Sequence, residues 1–164
     1  EQFVIIKENF RQSGQYEEED EAYVMFKRFE HKIHLNEAFK GGVKEYWKLP
    51  GLGFRWLVFD KMGLFATSPL RVLFSMLVIY SLFSLGFFIM PYLGIGDIAN
   101  SVDHLDHLTN LGVSFYHSAI TFLTIGYGDY YPMEYARGLS IIEGWAGLFL
   151  MSYFTVAFVR KILR

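Results

Sequence analysis

The segment Thr124-Ile125-Gly126-Tyr127-Gly128-Asp129 decides the fold of this chain. Two of its first five residues are glycine, which adopts backbone angles that other residues avoid. A run that alternates glycine with bulkier residues can point successive carbonyl oxygens in one direction. Because apolar segments precede and follow the run, we predict a non-helical loop that presents backbone carbonyls between two hydrophobic elements.

Two segments are long enough to cross a bilayer, which takes about 20 apolar residues. The first extends from Leu70 to Met90, where Pro69 suits the first turn of a helix and Pro91 its end. The second extends from Leu139 to Val159 and is interrupted only by Glu143. A buried helix of a soluble protein is the alternative for each segment alone, but two such segments in one short chain favour a membrane domain.

The basic residues predict how these segments cross the membrane. Residues 72–136 contain no Lys or Arg, whereas Arg55, Lys61 and Arg71 precede the first segment and Arg160 and Lys161 follow the second. By the positive-inside rule, both termini are cytoplasmic and the loop between the segments is extracellular. We therefore expect a multi-pass protein of the plasma or inner cell membrane.

Residues 69–164 resemble the potassium channel family, whose selectivity filter has the sequence TVGYG. The run TIGYG differs from it by one β-branched residue. The resemblance implies that backbone carbonyls of Thr124, Ile125, Gly126 and Tyr127 coordinate K⁺, and that Gly128 completes the filter. It also implies a homotetramer, because each chain supplies one filter strand to a closed ring. K⁺ is then the permeant ion, and no cofactor is expected.

The resemblance further assigns residues that support the filter. Four are expected behind it: Tyr116, His117, Thr121 and Asp129. The Tyr127 side chain should point away from the ions and brace the filter through a hydrogen bond, and Tyr116 or His117 can bond Tyr127 or Asp129. A proton sensor is the alternative role for His117. Ile120 departs from some relatives, which have a glutamate that pairs with the aspartate after the filter.

The second hydrophobic segment contains candidates for the cavity, the hinge and the gate. Glu143 is an intramembrane carboxylate; we expect a structural role, bonded to hydroxyls such as that of Thr121, with a ring of charge as the alternative. Gly147 matches the hinge glycine of the family, with Gly144 as a competitor and helix packing as the alternative role. The gate is predicted on one of two faces, formed by Met151, Thr155 and Val159 or by Phe154 and Phe158.

Three regions follow from these patterns. Residues 1–42 predict a cytoplasmic helical hairpin with helices Gln2–Gln12 and Glu17–Phe39, ended by a hinge at Gly41-Gly42. The hairpin resembles one tetratricopeptide-type repeat, which cannot bury its face alone, so another subunit or an unseen N-terminal cytoplasmic domain should cover it. Residues 43–68 resemble the interfacial slide helix of many two-helix channels, with a plain linker as the alternative. Residues 69–164 form the pore domain.

The predicted fold class is an all-α membrane protein. It has two transmembrane helices, a re-entrant pore helix over Val113–Leu123, a filter loop and the cytoplasmic hairpin, and it assembles as a tetrameric pore in the lipid bilayer. The expected function is passive, potassium-selective conduction. A non-selective cation channel, or a membrane scaffold or sensor with a non-conducting pore, are the alternatives.

Other classes of function find little support. No basic cluster indicates nucleic acid, and no nucleophile–base pair or phosphate loop indicates an enzyme. The segment Asp103-His104-Leu105-Asp106-His107 has the residue types of a metal site, but a solvated loop is the favoured interpretation.

Overall fold

A computed structural model of the chain describes residues 2–40, 46–101 and 108–163. The chain is mostly helical and divides into two compact units. The first unit is the chain up to Val72 together with the part that begins at Val156, and the second unit is Leu73–Thr155. The predicted hinge at Gly41-Gly42 and the candidate metal motif at residues 103–107 lie outside the described residues.

The first unit begins with two helices, α1 (Gln2–Gln12) and α2 (Tyr16–Lys40). They form an antiparallel hairpin in which the Phe3 ring lies 6.2 Å from that of Phe26. None of the residues Gln2–Gln12 is buried. Helix α1 therefore leaves an apolar face exposed, at Val4 and Ile5 among others.

The segment between the hairpin and the first long helix is broken into three short pieces. A 3₁₀ turn at Tyr46–Lys48 precedes α3 (Leu49–Arg55), and a π-helical turn follows at Trp56–Lys61. The three pieces follow one another without a gap, and Lys48, Arg55 and Trp56 at the junctions all have α-helical backbone angles. The interfacial role of this helical stretch stays a prediction. Residues Leu64, Phe65 and Ala66 then have φ angles of 46°, 55° and 62°. Such left-handed angles cost non-glycine residues about 1–2 kcal/mol each.

Two long helices, α4 (Pro69–Leu93) and α6 (Ala136–Ile162), are long and apolar enough to cross a membrane. The prediction that α4 ends at Pro91 is wrong, because the helix continues to Leu93. A proline in the last turn removes one backbone hydrogen bond but does not obstruct the few residues that follow. The chain leaves the helix where the Gly94 N–H donates to the Pro91 carbonyl, at 3.1 Å.

Between these helices, the second unit contains α5 (Asn110–Phe122) and a two-stranded sheet. The helix begins three residues earlier than predicted, because the Thr109 hydroxyl caps it by accepting from the Gly112 N–H. Strand β1 (Ile98–Asn100) pairs antiparallel with β2 (Tyr130–Pro132). The strand pair was not predicted; it joins the segment after α4 to the segment that precedes α6.

Candidate functional site

The loop that follows α5 has an unusual backbone. The N–H groups of Ile125 and Gly126 both donate to the Ile120 carbonyl, at 2.8 and 3.3 Å. In a trans peptide, the carbonyl points opposite to the N–H of the next residue, and no cis peptide is present in the described residues. The carbonyls of Thr124 and Ile125 therefore both point away from α5.

Alternate residues of this loop adopt left-handed angles. The φ angles are 56° at Thr124, 61° at Gly126 and 78° at Gly128, whereas Ile125 and Tyr127 have negative φ. Alternation of handedness turns each peptide plane back toward the direction of the one before it, so successive carbonyls stay on one side. Two of these angles suit glycine, but the angle at Thr124 is strained, as is common at functional sites.

The end of the loop is tied to the strand β1 region. The Ser101 hydroxyl lies 2.9 Å from the carbonyls of both Gly128 and Asp129, and the Ser101 N–H donates to the Asp129 carbonyl at 2.7 Å. The Gly128 carbonyl is thus engaged by the protein itself. The other four predicted filter residues, Thr124 to Tyr127, have backbone carbonyls that accept no hydrogen bond from the described residues. Ser101 was not predicted, since a single loop serine carries no distinguishing signal.

Three consecutive residues of α5 connect the helix to its surroundings. The Tyr116 hydroxyl donates to Asp129 Oδ2 at 2.7 Å, His117 Nε2 lies 3.0 Å from Ser140 Oγ, and the Ser118 hydroxyl donates to Glu143 Oε1. Consecutive residues leave a helix in directions about 100° apart. One turn of α5 can therefore reach both the loop end and two positions of α6.

The Tyr116 contact sets the charge state of Asp129. The hydrogen bond from the Tyr116 hydroxyl lowers the pKa of the Asp129 carboxyl, with help from the Tyr130 N–H at 3.0 Å, while desolvation opposes them. Asp129 thus stays ionised at the end of the loop. Of the two predicted partners, Tyr116 bonds Asp129, whereas His117 bonds Ser140 and packs against the Phe87 ring at 5.0 Å.

Glu143 is buried completely, with 0% of its surface exposed. Its hydroxyl partner in this chain is Ser118, which lies nearly one helical turn before the predicted Thr121. Ser118 is also fully buried, and Tyr80 of α4 supplies a backbone carbonyl 3.4 Å from its hydroxyl. The Glu143 Oε2 atom has no hydrogen-bond partner among the described residues.

Gly147 lies where α6 meets the carboxyl end of α5. A Cβ atom at this position would collide with the carbonyl oxygen of Phe122 and approach its carbonyl carbon to 2.8 Å. At Gly144, a Cβ atom would meet nothing within 4 Å. The geometry therefore gives Gly147 a packing role, and helix α6 is continuous through it.

Both predicted gate faces are largely open in the single chain. Met151 and Phe158 expose 42% and 49% of their surfaces. The Thr155 hydroxyl donates to the Met151 carbonyl at 2.9 Å, within the helix. The choice between the two faces therefore stays a prediction.

Among the residues that the structure describes, no three His, Asp or Glu side chains lie close enough to hold a metal ion. A family model described as an ion channel matches residues 75–164, more than half of the chain. No curated protein and no solved structure matches the chain. The match covers most of α4 and all of α5, the loop and α6. The chain is therefore a membrane protein that belongs to the family of two-transmembrane-helix ion channels.

Proposed function

We propose that the chain is one subunit of a potassium-selective channel. The observation that carries this proposal is the alternation of left-handed angles at Thr124, Gly126 and Gly128. With the N–H groups of Ile125 and Gly126 bonded to α5, the carbonyls face the opposite side. Rings of such oxygens replace the hydration shell of K⁺. The carboxyl end of α5 adds the negative end of its dipole near the same path.

We infer a closed ring of four subunits around this path. One chain supplies carbonyls from one side only, so a closed ring of chains is needed to surround the ion. The resemblance to potassium channels, which use four such loops, implies that the ring is fourfold. In the single chain, the Ile125 and Tyr127 side chains expose 48% and 70% of their surfaces. The Tyr127 hydroxyl has no hydrogen bond within the described part of the chain, which supports a brace supplied by a neighbouring subunit.

The orientation follows from charge. Arg160 and Lys161 lie in the last turn of α6, while the described acidic residues Asp97, Asp129 and Glu134 fall in the interval without Lys or Arg. By the positive-inside rule the carboxyl end of α6 is cytoplasmic and the filter opens outward. The acidic outer mouth would raise the local concentration of cations.

Glu143 is proposed as a structural residue of this pore. Its complete burial and its bond from Ser118 support a tie between α5 and α6. A ring of charge would require the carboxylate to face the water-filled cavity. The tie would hold the pore helix in place behind the filter.

Ion flux in liposomes tests the proposal. The purified chain is reconstituted with K⁺ inside, and efflux is measured with K⁺ or Na⁺ as the counter-ion and with Ba²⁺ as a blocker. We expect rapid K⁺ flux that Ba²⁺ blocks. We expect Na⁺ to cross the membrane much more slowly than K⁺. Equal flux of Na⁺ would indicate a non-selective cation channel. Absence of flux would favour a scaffold or sensor.

A further inference from the structure

The strand pair β1–β2 places the residue just beyond its end, Ser101, opposite the end of the candidate filter loop. The register pairs Asn100 with Tyr130, so the next antiparallel pair is Ser101 with Asp129. The Ser101 N–H continues the ladder by donating to the Asp129 carbonyl at 2.7 Å. Because the Ser101 side chain is exposed, its position comes from this pairing and not from packing in a core.

The Ser101 hydroxyl has one proton to donate and two carbonyls within reach. The carbonyl oxygens of Gly128 and Asp129 both lie 2.9 Å from its Oγ atom. The Asp129 carbonyl already accepts the Ser101 N–H, whereas the Gly128 carbonyl has no other donor among the described residues. The hydroxyl proton therefore contributes most at Gly128.

The Gly128 carbonyl belongs to a peptide that has room to turn. The φ angle of Gly128 is 78°, and a Cβ atom built there would meet nothing within 4 Å in this chain. At the other end of the same peptide, the Asp129 N–H bonds the carboxylate of its own residue. That carboxylate is fixed in turn by the Tyr116 hydroxyl and the Tyr130 N–H.

The peptide between Gly128 and Asp129 is therefore held at both ends, and Ser101 holds its carbonyl end. Loss of the hydroxyl would leave the carbonyl end without a partner among the described residues. Glycine tolerates backbone angles of either hand, so Gly128 itself would not oppose a rotation. The carbonyls of the loop before it already point away from α5, and a rotated Gly128 carbonyl could join them on that side.

We propose that Ser101 is a positioning residue that holds the Gly128 carbonyl away from the ion path and so limits ion coordination to the carbonyls of Thr124 to Tyr127. Without its hydroxyl, a ring of Gly128 carbonyls would add a cation site at the outer end of the filter. A site that binds too tightly slows conduction, because the ion must also leave it. This role of Ser101 rests on the proposed function, since it concerns the filter of the proposed channel.

Three variants of the full chain test this role. Ser101→Ala removes the hydroxyl, and Ser101→Thr keeps it. Ser81→Ala is the matched control, because the Ser81 hydroxyl bonds the Leu77 carbonyl of its own helix, at 2.8 Å. Every variant keeps the N–H of residue 101, so the strand register is retained.

The first measurement is the ¹³C shift of the Gly128 backbone carbonyl, followed by NMR in detergent with K⁺ or with Na⁺. In Ser101→Ala, this shift should move toward the value of a carbonyl without a hydrogen bond and should respond to K⁺ more strongly than in the native chain. Ser101→Thr and Ser81→Ala should match the native chain. An unchanged shift in Ser101→Ala would overturn the tie.

The second measurement is the block of K⁺ efflux from liposomes by external Ba²⁺. The half-blocking concentration should fall roughly fivefold in Ser101→Ala, the factor that corresponds to one hydrogen bond, and efflux without Ba²⁺ should be slower. Ser101→Thr should restore the native values. The same half-blocking concentration in Ser101→Ala and the native chain would overturn the effect on the ion path.

The two measurements separate a failure of this role from a failure of the proposed function. A native chain without K⁺ preference would contradict the proposed channel, while the Gly128 carbonyl shift would still show whether Ser101 holds that carbonyl. A selective native chain that Ser101→Ala matches in both measurements would contradict the role of Ser101 alone.

Discussion

In the second unit, hydroxyl groups on α5 donate hydrogen bonds to other elements, whereas in the first unit ion pairs join the elements. Tyr116 and Ser118 bond their partners from α5. Among the described residues, ion pairs between elements of the first unit include Lys7–Glu19, Arg28–Asp60 and Arg160–Asp20. The Arg160 guanidinium also lies 3.3 Å from the Phe65 carbonyl and 4.9 Å from the Tyr23 ring.

The difference reflects what each unit has to do. Hydrogen bonds from hydroxyls have short reach and fixed geometry, so they suit the proposed filter loop, whose carbonyls would have to stay aligned. Partly exposed ion pairs tolerate displacement and weaken with salt. The left-handed turn at Leu64–Ala66 includes Phe65, whose carbonyl accepts from the Arg160 guanidinium. The strained part of the first unit is therefore held by a charged side chain that can shift its position. We therefore expect the second unit to be sensitive to shape and the first unit to be sensitive to charge.

Gly147→Ala tests the shape requirement most severely. The new methyl group would collide with the Phe122 carbonyl, and the backbone on both sides resists displacement. Overpacking of this kind costs about 1–3 kcal/mol or more in each subunit. We expect loss of the proposed tetramer in size-exclusion chromatography and a large fall in Tm.

Gly144→Ala is the matched control for that change. Its methyl group meets open space, and alanine is favoured over glycine inside a helix by about 0.5–1 kcal/mol. Its Tm should equal or exceed that of the native chain. If both variants assembled equally well, the close contact of Gly147 with α5 would be wrong.

Gly126→Ala tests the backbone of the loop without any steric contact. No atom of the same chain lies within 4 Å of the added methyl group, so within the chain the effect comes from φ alone. A left-handed alanine costs about 1–2 kcal/mol, which corresponds to about fivefold to thirtyfold in an equilibrium constant. We expect the K⁺ over Na⁺ preference in liposome flux to fall by about that factor. Gly138→Ala, with free space and no positive φ, should keep the native preference, and a similar loss there would contradict this account.

Ser118→Ala tests the buried tie to α6. Without the hydroxyl, the Glu143 carboxyl loses its one described hydrogen bond at a site with 0% exposure. An unsatisfied buried polar group costs about 1–3 kcal/mol. We expect a lower Tm for Ser118→Ala, whereas Ser81→Ala, which removes a bond within α4, should change it little. Equal Tm values for the two variants would argue against the tie.

The sequence predicted the elements that depend on composition and missed those that depend on partners. The two long helices, the hairpin and the loop follow from hydropathy, spacing and glycine. Ser101 and Ser118 look like any other serine, because their hydroxyls gain a role only when distant segments meet. The strands Ile98–Asn100 and Tyr130–Pro132 are too short for an alternating pattern to stand out.

The acidic run at the start of α2 gives the clearest case of a missed contact. Residues 17–21 are all acidic and lie in the first turns of α2, where negative charge also complements the helix dipole. In the structure, Asp20 pairs with Arg160 and Glu19 with Lys7, and both carboxylates are buried. A solvated face and a contact face have the same sequence pattern, since the partner is 140 residues away.

Tyr116→Phe tests the charged contact of the second unit. The Asp129 pKa lies below its ordinary value of 3.8 chiefly because the Tyr116 hydroxyl bonds the carboxylate. The ionised form, and the contact, therefore persist above pH 3.8 and are lost only as the pH falls through the lower, folded-state pKa. Removal of the hydroxyl should raise the pKa, so protonation begins at a less acidic pH. The ¹³C carboxyl shift of Asp129, followed by NMR against pH, measures this.

Tyr131→Phe is the control for that titration. Tyr131 follows Asp129 by two residues and is 41% exposed. Its loss of a hydroxyl should leave the Asp129 midpoint unchanged. An unchanged midpoint in Tyr116→Phe would show that the Tyr116 hydroxyl does not hold the Asp129 pKa down.

The smallest effect is expected at the Arg160–Asp20 pair. This pair tests whether contacts in the first unit depend on salt more than those in the second unit. The side chains expose 26% and 12% of their surfaces, so solvent screens the pair in part. A double-mutant cycle with R160Q, D20N and both changes should give a coupling energy of about 1 kcal/mol. The rate of limited proteolysis of the α1–α2 hairpin measures how far each variant loosens this contact. The coupling should shrink in 1 M salt, where the Debye length is about 3 Å. The loss of stability in Ser118→Ala should be the same in 1 M salt as in dilute buffer. If salt also left the Arg160–Asp20 coupling energy unchanged, the proposed contrast between the two units would be wrong.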